Sequence, residues 1–236
     1  MSESQTAEPL FRLTNQTLHY QGHAVLSNIS LSIHSGERVA LIGGSGVGKS
    51  TLLAALREQL PNQVAWCPQQ PGLVPMLSTF HNIYMGTLGS QTLLYNLANL
   101  IEPLPAARQA VEPIAQALGL QQQLYRSVDK LSGGQQQRTS IGRALIQQQP
   151  IFLGDEPVAH IDEYQGETLL QLICQRHPTV VLALHDIDQA LATCTRIIGL
   201  KQGAIVLDAA SDQLQAADLA ELYKANSDTQ APQNAG

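Results

Sequence analysis

The chain of 236 residues is 44% hydrophobic, enough to bury the core of one α/β domain, alone or with a smaller inserted subdomain. Its formal charge is −6 and its 13 Lys and Arg are scattered without a basic run, which argues against a DNA or RNA partner. No apolar run reaches the ~18 residues of a membrane helix, and residues 1–10 lack the basic and apolar regions of a secretory signal, so a cytosolic chain is expected, with any membrane role supplied by another chain.

In chain order, residues 1–9 are small and polar and are expected to be mobile. From Leu10 to Ile33 apolar and polar residues alternate around "NQ" and "QG", predicting antiparallel strands with turns at those dipeptides. Val39 to Ile42 is a continuous apolar run, the pattern of a strand covered on both faces. It leads into "LIGGSGVGKST" and then the helical "TLLAALREQL", so Gly43 and Gly48 bracket Gly44, Ser45, Gly46 and Val47 ahead of Lys49, Ser50 and Thr51. Strand, glycine-rich loop and helix in that order make a phosphate cradle: backbone N–H groups approach the anion, Lys49 reaches the β- and γ-phosphates, and the Ser50 hydroxyl serves Mg²⁺. A chance glycine-rich turn is the alternative for the pattern alone, and the flanking elements oppose it. The acidic net charge is no obstacle, because surface charges are screened beyond about 8 Å.

The helix is expected to end near Leu60, with a strand beginning at once in "PNQVAWCPQQ". Residues 73–149 show no strand pattern, while Val111, Ile114, Ala115 and Leu118 keep one helical face, predicting an inserted helical subdomain whose early boundaries Pro103, Pro105 and Pro113 blur. Within it, "LSGGQQQR" at 131–138 offers the Ser132 hydroxyl, the N–H groups of Gly133 and Gly134 and a helix opening at Gln135. That combination suits an anion, although no strand precedes it. A helix merely capped by Ser132 is the alternative. The glutamine triplets at 121, 135 and 147 read as solvated helix faces.

Ile151 to Leu153 is a further buried strand, and "IFLGDEP" sets Asp155 and Glu156 at its C-terminal end, where open α/β sheets gather ligands. There Asp155 would hold Mg²⁺ and Glu156 would polarise an attacking water, against the alternative of ordinary turn acids. Leu169, Leu172, Ile173 and Arg176 have crossover-helix spacing. Val180 to Leu184 is the next strand, and His185 ends it at the same height, suited to sensing a γ-phosphate, while Asp186 suits a helix cap. Ile197 to Leu200 is the last strand read, and residues 226–236 are a polar tail. Cys67, Cys174 and Cys194 lack metal-ligand spacing and read as buried reduced thiols.

"GGSGVGKST", "LSGGQQQR", "IFLGDEP" and His185, in this order, resemble the nucleotide-binding subunit of an ABC transporter from about Phe11 to Lys224. The resemblance implies a P-loop α/β fold over residues 10–225: a mainly parallel core sheet, an N-terminal antiparallel subdomain and an inserted helical subdomain at about 73–149. It implies ATP and Mg²⁺ as ligands, Gln69 as the glutamine that reports γ-phosphate and Mg²⁺, Tyr20 as the aromatic that stacks on adenine, and Asp162 in "VAHID" as the interface aspartate. It also implies a homodimer, in which Ser132, Gly133, Gly134 and Gln135 of one copy cap ATP held by the other. A membrane permease would dock beside Gln69. "LVPMLSTFHNIYMGTLG" is similar to phosphonate-type import ATPases, implying uptake of a phosphonate or related oxyanion delivered by a periplasmic binding protein, with this chain peripheral on the cytoplasmic face of the inner membrane. Three departures stand out. Gln69 follows Lys49 by only 20 positions, so an antiparallel hairpin usual in the family is missing, His160 replaces a common serine, and Gly154 a common alanine. A soluble ABC-type ATPase acting on nucleic acid or ribosomes, and a nucleotide-binding switch without turnover, are the competing readings.

Overall fold

A computed structural model describes residues 8–223, so most of 1–9 and all of 226–236 lie outside the described residues. The strands are β1 (Phe11–Tyr20), β2 (His23–Ile33), β3 (Arg38–Ile42), β4 (Val64–Cys67), β5 (Ile151–Asp155), β6 (Thr179–Ala183), β7 (Arg196–Lys201) and β8 (Ala204–Ala210). The α-helices are α1 (Lys49–Gln59), α2 (Thr79–Tyr84), α3 (Leu93–Ile101), α4 (Pro105–Ala117), α5 (Gly133–Leu145), α6 (Glu163–Arg176), α7 (Ile187–Thr193) and α8 (Ala216–Ala220). Among the described residues β1 and β2 pair antiparallel, and the other six strands form one sheet in the order β4-β5-β6-β3-β7-β8. All its neighbours are parallel except β7 and β8.

The apolar runs exist because both faces of this sheet are covered, and successive side chains feed opposite cores. In β3, Ala40 and Ile42 join the core under α4–α6 while Val39 and Leu41 join the core under α1 and the β1–β2 pair. In β6, Val180 and Leu182 go to the first and Val181 and Ala183 to the second. Leu52, Leu53 and Leu56 of α1 fill that second core. Gly154 is set by packing: a Cβ there would lie 2.9 Å from both Leu182 Cδ2 and Phe152 Cε1.

Several expectations need correction. The "QG" turn is real, with Gln21 and Gly22 at positive φ, but "NQ" is no turn: Asn15, at φ 49°, sits in a bulge within β1 where the register shifts. Asparagine tolerates the left-handed region, which serves a bulge as well as a turn. A second hairpin, at Gln202 and Gly203, adds β8, whose half-exposed alternation gave no strong run. The glutamine triplet at 135 is no solvated face. Gln135 closes a capping box, Gln136 Nε2 donates to the Val128 and Leu131 carbonyls, and Gln137 is buried. The other two triplets lie in a 3₁₀ turn and beyond the end of α5.

Between β4 and β5 the chain is helical, with one isolated bridge from Ser78 to Ser127. Pro105 opens α4 and Pro113 lies inside it. Helix α3 is inverted. Asn96 and Asn99 turn inward, accepting from and donating to the Tyr84 hydroxyl, while Leu93, Leu94, Leu97, Leu100 and Ile101 face out, Ile101 at 89% exposure. Arg143 of α5 donates to the carbonyls of Pro71 and Gly72, pinning the loop that follows Gln69. Residues 60–63 alone join α1 to β4, so the antiparallel part consists of β1 and β2 among the described residues. No helix there is long and apolar enough to cross a membrane, and the three cysteines are free and buried.

Candidate functional site

The phosphate loop leaves β3 at Gly43, whose φ of 150° and missing Cβ let it pass the Leu200 carbonyl, only 2.3 Å from where a Cβ would stand. It returns at Gly48 (φ 112°), where a Cβ would lie 2.7 Å from Leu26 Cγ. Both ends are therefore closed to side chains. Gly48 is also the N-cap of α1 and offers no side-chain acceptor, so no side chain competes for the first-turn amides. Lys49 is buried, and its Nζ donates to the carbonyls of Gly43 (2.7 Å) and Gly44 (3.1 Å). Burial lowers its pKa, opposed by the charges of Glu156 and Asp155.

Asp155 ends β5 with its Oδ1 buried and unpartnered, and the Ser50 hydroxyl stands beside its carboxyl group. Burial raises the Asp155 pKa, and the Ser50 contact and the Lys49 charge pull it back. An orphaned carboxylate oxygen beside a hydroxyl is a donor set that fits a hard divalent cation. Glu156 follows at φ 51°, its N–H donating to the Ala183 carbonyl, and its carboxylate pairs with His185 Nε2 just beyond β6. From behind, Gln137 Nε2 donates to the carbonyls of Glu156 (3.3 Å) and Pro157 (2.9 Å).

Lys49, Ser50, Asp155 and Glu156 share a cleft of about 870 Å³ with Tyr20, Ser45, Gly46, Gly48, Thr51 and Gln69, while His185 is not among its lining residues and reaches it through Glu156. Tyr20 stands 61% exposed at the end of β1. Ala54, Ala55 and Glu58 continue the lining at helical spacing from Thr51, a signal present in the sequence. Gly44 and Val47 instead face a cavity of about 400 Å³ behind the loop.

Ser132, Gly133, Gly134 and Asp162 do not reach this cleft. They line a separate cavity of about 500 Å³ with Arg138, His160, Ile161 and Gln165. Ser132 Oγ accepts from the Gln135 N–H, and Gln135 Oε1 accepts from the Ser132 N–H, so the capped helix and the open glycine face coexist. Gln135 is engaged in that cap and is not among the lining residues. Asp162 caps α6 at the Gln165 N–H, and Asp186 caps α7. His160, at φ 65°, brings its carbonyl to 3.1 Å from where a Gly134 Cβ would sit, so the two loops touch.

The ABC transporter family's sequence model matches residues 26–63 and 56–159. The "Phosphonates import ATP-binding protein PhnC 1" of Pseudomonas savastanoi pv. phaseolicola is 34% identical over 87% of this chain and 88% of its own length. The "Phosphonates import ATP-binding protein PhnC" of Trichormus variabilis is 38% identical over 81% and 88%, and the protein of that name from Anaeromyxobacter dehalogenans 34% over 85%, where this chain spans only 45% of the relative. Among solved structures, the dimeric post-hydrolysis cassette MJ0796 bound to ADP and Pi superposes with a TM-score of 0.70 at 27% identity, over 85% of this chain and 98% of that one. A nucleotide-free cassette from an ABC transporter shares the fold at TM-score 0.74 and 19% identity, over 91% and 98%. With the mainly parallel sheet and the phosphate cleft already described, these matches make the chain a member of the ABC transporter family.

Proposed function

We propose that the chain is the ATP-hydrolysing subunit of an importer for a phosphonate or related oxyanion, the cargo being taken from the names of its relatives. The observation that carries the chemistry is the joining of the phosphate loop and Glu156 in one cleft, with His185 paired to the Glu156 carboxylate. Loop amides and Lys49 hold the phosphates, and Tyr20 stacks against the base. Ser50, Gln69 and Asp155 would hold Mg²⁺, which neutralises developing phosphate charge when bound. Glu156 accepts a proton from the attacking water while His185 fixes the carboxylate and meets the γ-phosphate.

Ser132, Gly133, Gly134 and Asp162 do not serve the phosphates of their own copy, because their cavity is not the cleft, and Gln135 is engaged in the cap of α5 beside them. Opposed to the cleft of a second copy, Ser132 and the glycine amides cap its γ-phosphate, so ATP closes a homodimer and phosphate loss reopens it. The dimeric MJ0796 cassette supports this arrangement. A permease binds beside Gln69 and against the outward leucines of α3. No Asp, Glu, Lys or Arg lies between Glu58 and Glu102, which suits an apolar partner surface. On this reading the chain sits on the cytoplasmic face of the inner membrane, with a periplasmic binding protein delivering cargo to the permease.

Phosphate release tests the reading. Glu156→Gln is expected to slow hydrolysis ~10³-fold, about 4 kcal/mol of barrier, and a phosphonate-loaded binding protein to stimulate the permease-bound wild type. Normal turnover by Glu156→Gln contradicts the mechanism, and indifference to phosphonates contradicts the cargo.

A further inference from the structure

Helix α5 meets the backbone around the site along one slanting ridge of its surface, through Gln137, Ser140 and Arg143. Gln137 donates to the carbonyls of Glu156 and Pro157 just past the end of β5. The Ser140 hydroxyl stands 3.8 Å from Cys67 Sγ at the end of β4. Arg143 spreads its two terminal nitrogens over successive carbonyls, Nη2 donating to Pro71 and Nη1 to Gly72 at 2.9 Å. Gln69 is therefore held on a short span between the end of β4, where Cys67 pairs in register with Gly154, and the Arg143 fork. Pro68 and Pro71 fix their own φ and bias Gln70 to extended backbone, so a displacement at Pro71 is passed on to Gln69 instead of being absorbed. Arg143 is held in turn: its carbonyl accepts from Gln147 Nε2 at 3.0 Å, and Gly86 packs so close that a Cβ there would lie 2.2 Å from that oxygen.

We infer that Arg143 is a positioning residue for Gln69, fixing that side chain relative to Glu156 so that α5 carries both as one unit. Three facts carry this. Gln69 and Glu156 line the same cleft but follow different strands, and α5 is hydrogen-bonded to the main chain at or beside each. A planar fork on two consecutive carbonyls sets the orientation of the segment as well as its distance, which a single point donor does not. Beyond Gly72 the loop is fastened separately, because Asn82 accepts from the Val74 N–H and donates to the carbonyls of Val74, Leu77 and Ser78. The fork thus acts on the Gln69 end of the loop. Its catalytic consequence rests on the proposed ATPase reading, and the tether rests on the contacts alone.

The experiment compares the full-length parent with Arg143→Met, which keeps the apolar stem, and Arg143→Lys, which keeps the charge without the fork. NMR relaxation of the nucleotide-free chain is expected to show order parameters for Gln69, Gln70 and Gly72 falling from about 0.85 to below about 0.6 in both variants, with Val74 unchanged. Steady-state hydrolysis should lose about tenfold in kcat and need about fivefold more Mg²⁺ for half-saturation, with the ATP half-saturation within about twofold. In a Gln69→Ala background either substitution should cost under about twofold, since residues that act through one another are not additive. Order parameters equal to the parent's, an unchanged kcat and Mg²⁺ dependence, or the same loss in the Gln69→Ala background overturns the assignment. So does disorder that spreads evenly to Val74 and α5, which would make Arg143 a general stability residue. If the parent hydrolyses no ATP the proposed function falls, and the order parameters still decide the tether.

Discussion

Gln137 donates its side-chain amide to the main-chain carbonyl of Glu156 at 3.3 Å, tying the helix that opens at Ser132 to the residue whose carboxylate pairs with His185. One end of α5 thus faces the second cavity while a residue one turn in supports the cleft. Movement imposed on one is felt at the other. Under the proposed function, this connects the surface offered to a second copy with the carboxylate assigned to polarise water.

That connection makes Gln137 more than filler. Gln137→Leu keeps the volume but strips donors from the Glu156 and Pro157 carbonyls, costing about 1–3 kcal/mol of stability for buried acceptors left unpaired. Because Glu156 is held at positive φ, its carboxylate loses its aim as well. Hydrolysis is expected to fall more than tenfold with ATP affinity retained, read by phosphate release and nucleotide titration.

Asp155 sets stability against function. Burial raises its pKa, so the folded state holds the proton more tightly than the unfolded chain does. The sign follows: the contribution to stability is present below the ordinary carboxyl value and is lost as pH rises through the raised one. At neutral pH the ionised group is a cost. Asp155→Asn should therefore raise the melting midpoint of the nucleotide-free chain by ~2–4 °C, about 1 kcal/mol for a domain of this size. The gain should vanish in acid, and Mg²⁺-dependent hydrolysis should be lost. Calorimetry across pH checks the first part and phosphate release the second.

The outward leucines of α3 give a third test. Leu94 is 81% exposed, so Leu94→Glu removes little packing and should shift the melting midpoint by under about 2 °C. A charge placed on a face that an apolar partner covers is costly to bury, so co-purification with the permease should drop at least tenfold. Retained capture would move the docking surface elsewhere.

Legibility in the sequence followed locality. The phosphate loop, the Asp155–Glu156 strand end and His185 could be read because each is a short stretch whose neighbours in sequence supply its geometry. The parallel sheet was legible because strands covered on both faces show as continuous apolar runs, whereas β8, half exposed at the edge, did not. What stayed hidden were single side chains reaching distant backbone: Gln137 to Glu156 and Tyr223 to His185 leave no periodic trace. Polarity also misleads where a helix is inverted, since the leucines of α3 look like a core face and the structure instead buries Asn99 and half-buries Asn96 on the other side.

The central claim is that ATP closes two copies of this chain, the Lys49 cradle of one against the Ser132 cap of the other. Sedimentation of Glu156→Gln with ATP and Mg²⁺ measures it directly, with Ser132→Arg in the same background to block the cap. The account predicts a dimer for Glu156→Gln with ATP, monomers with ADP, and monomers for the double variant throughout. Monomeric Glu156→Gln at saturating ATP and high protein concentration would contradict it.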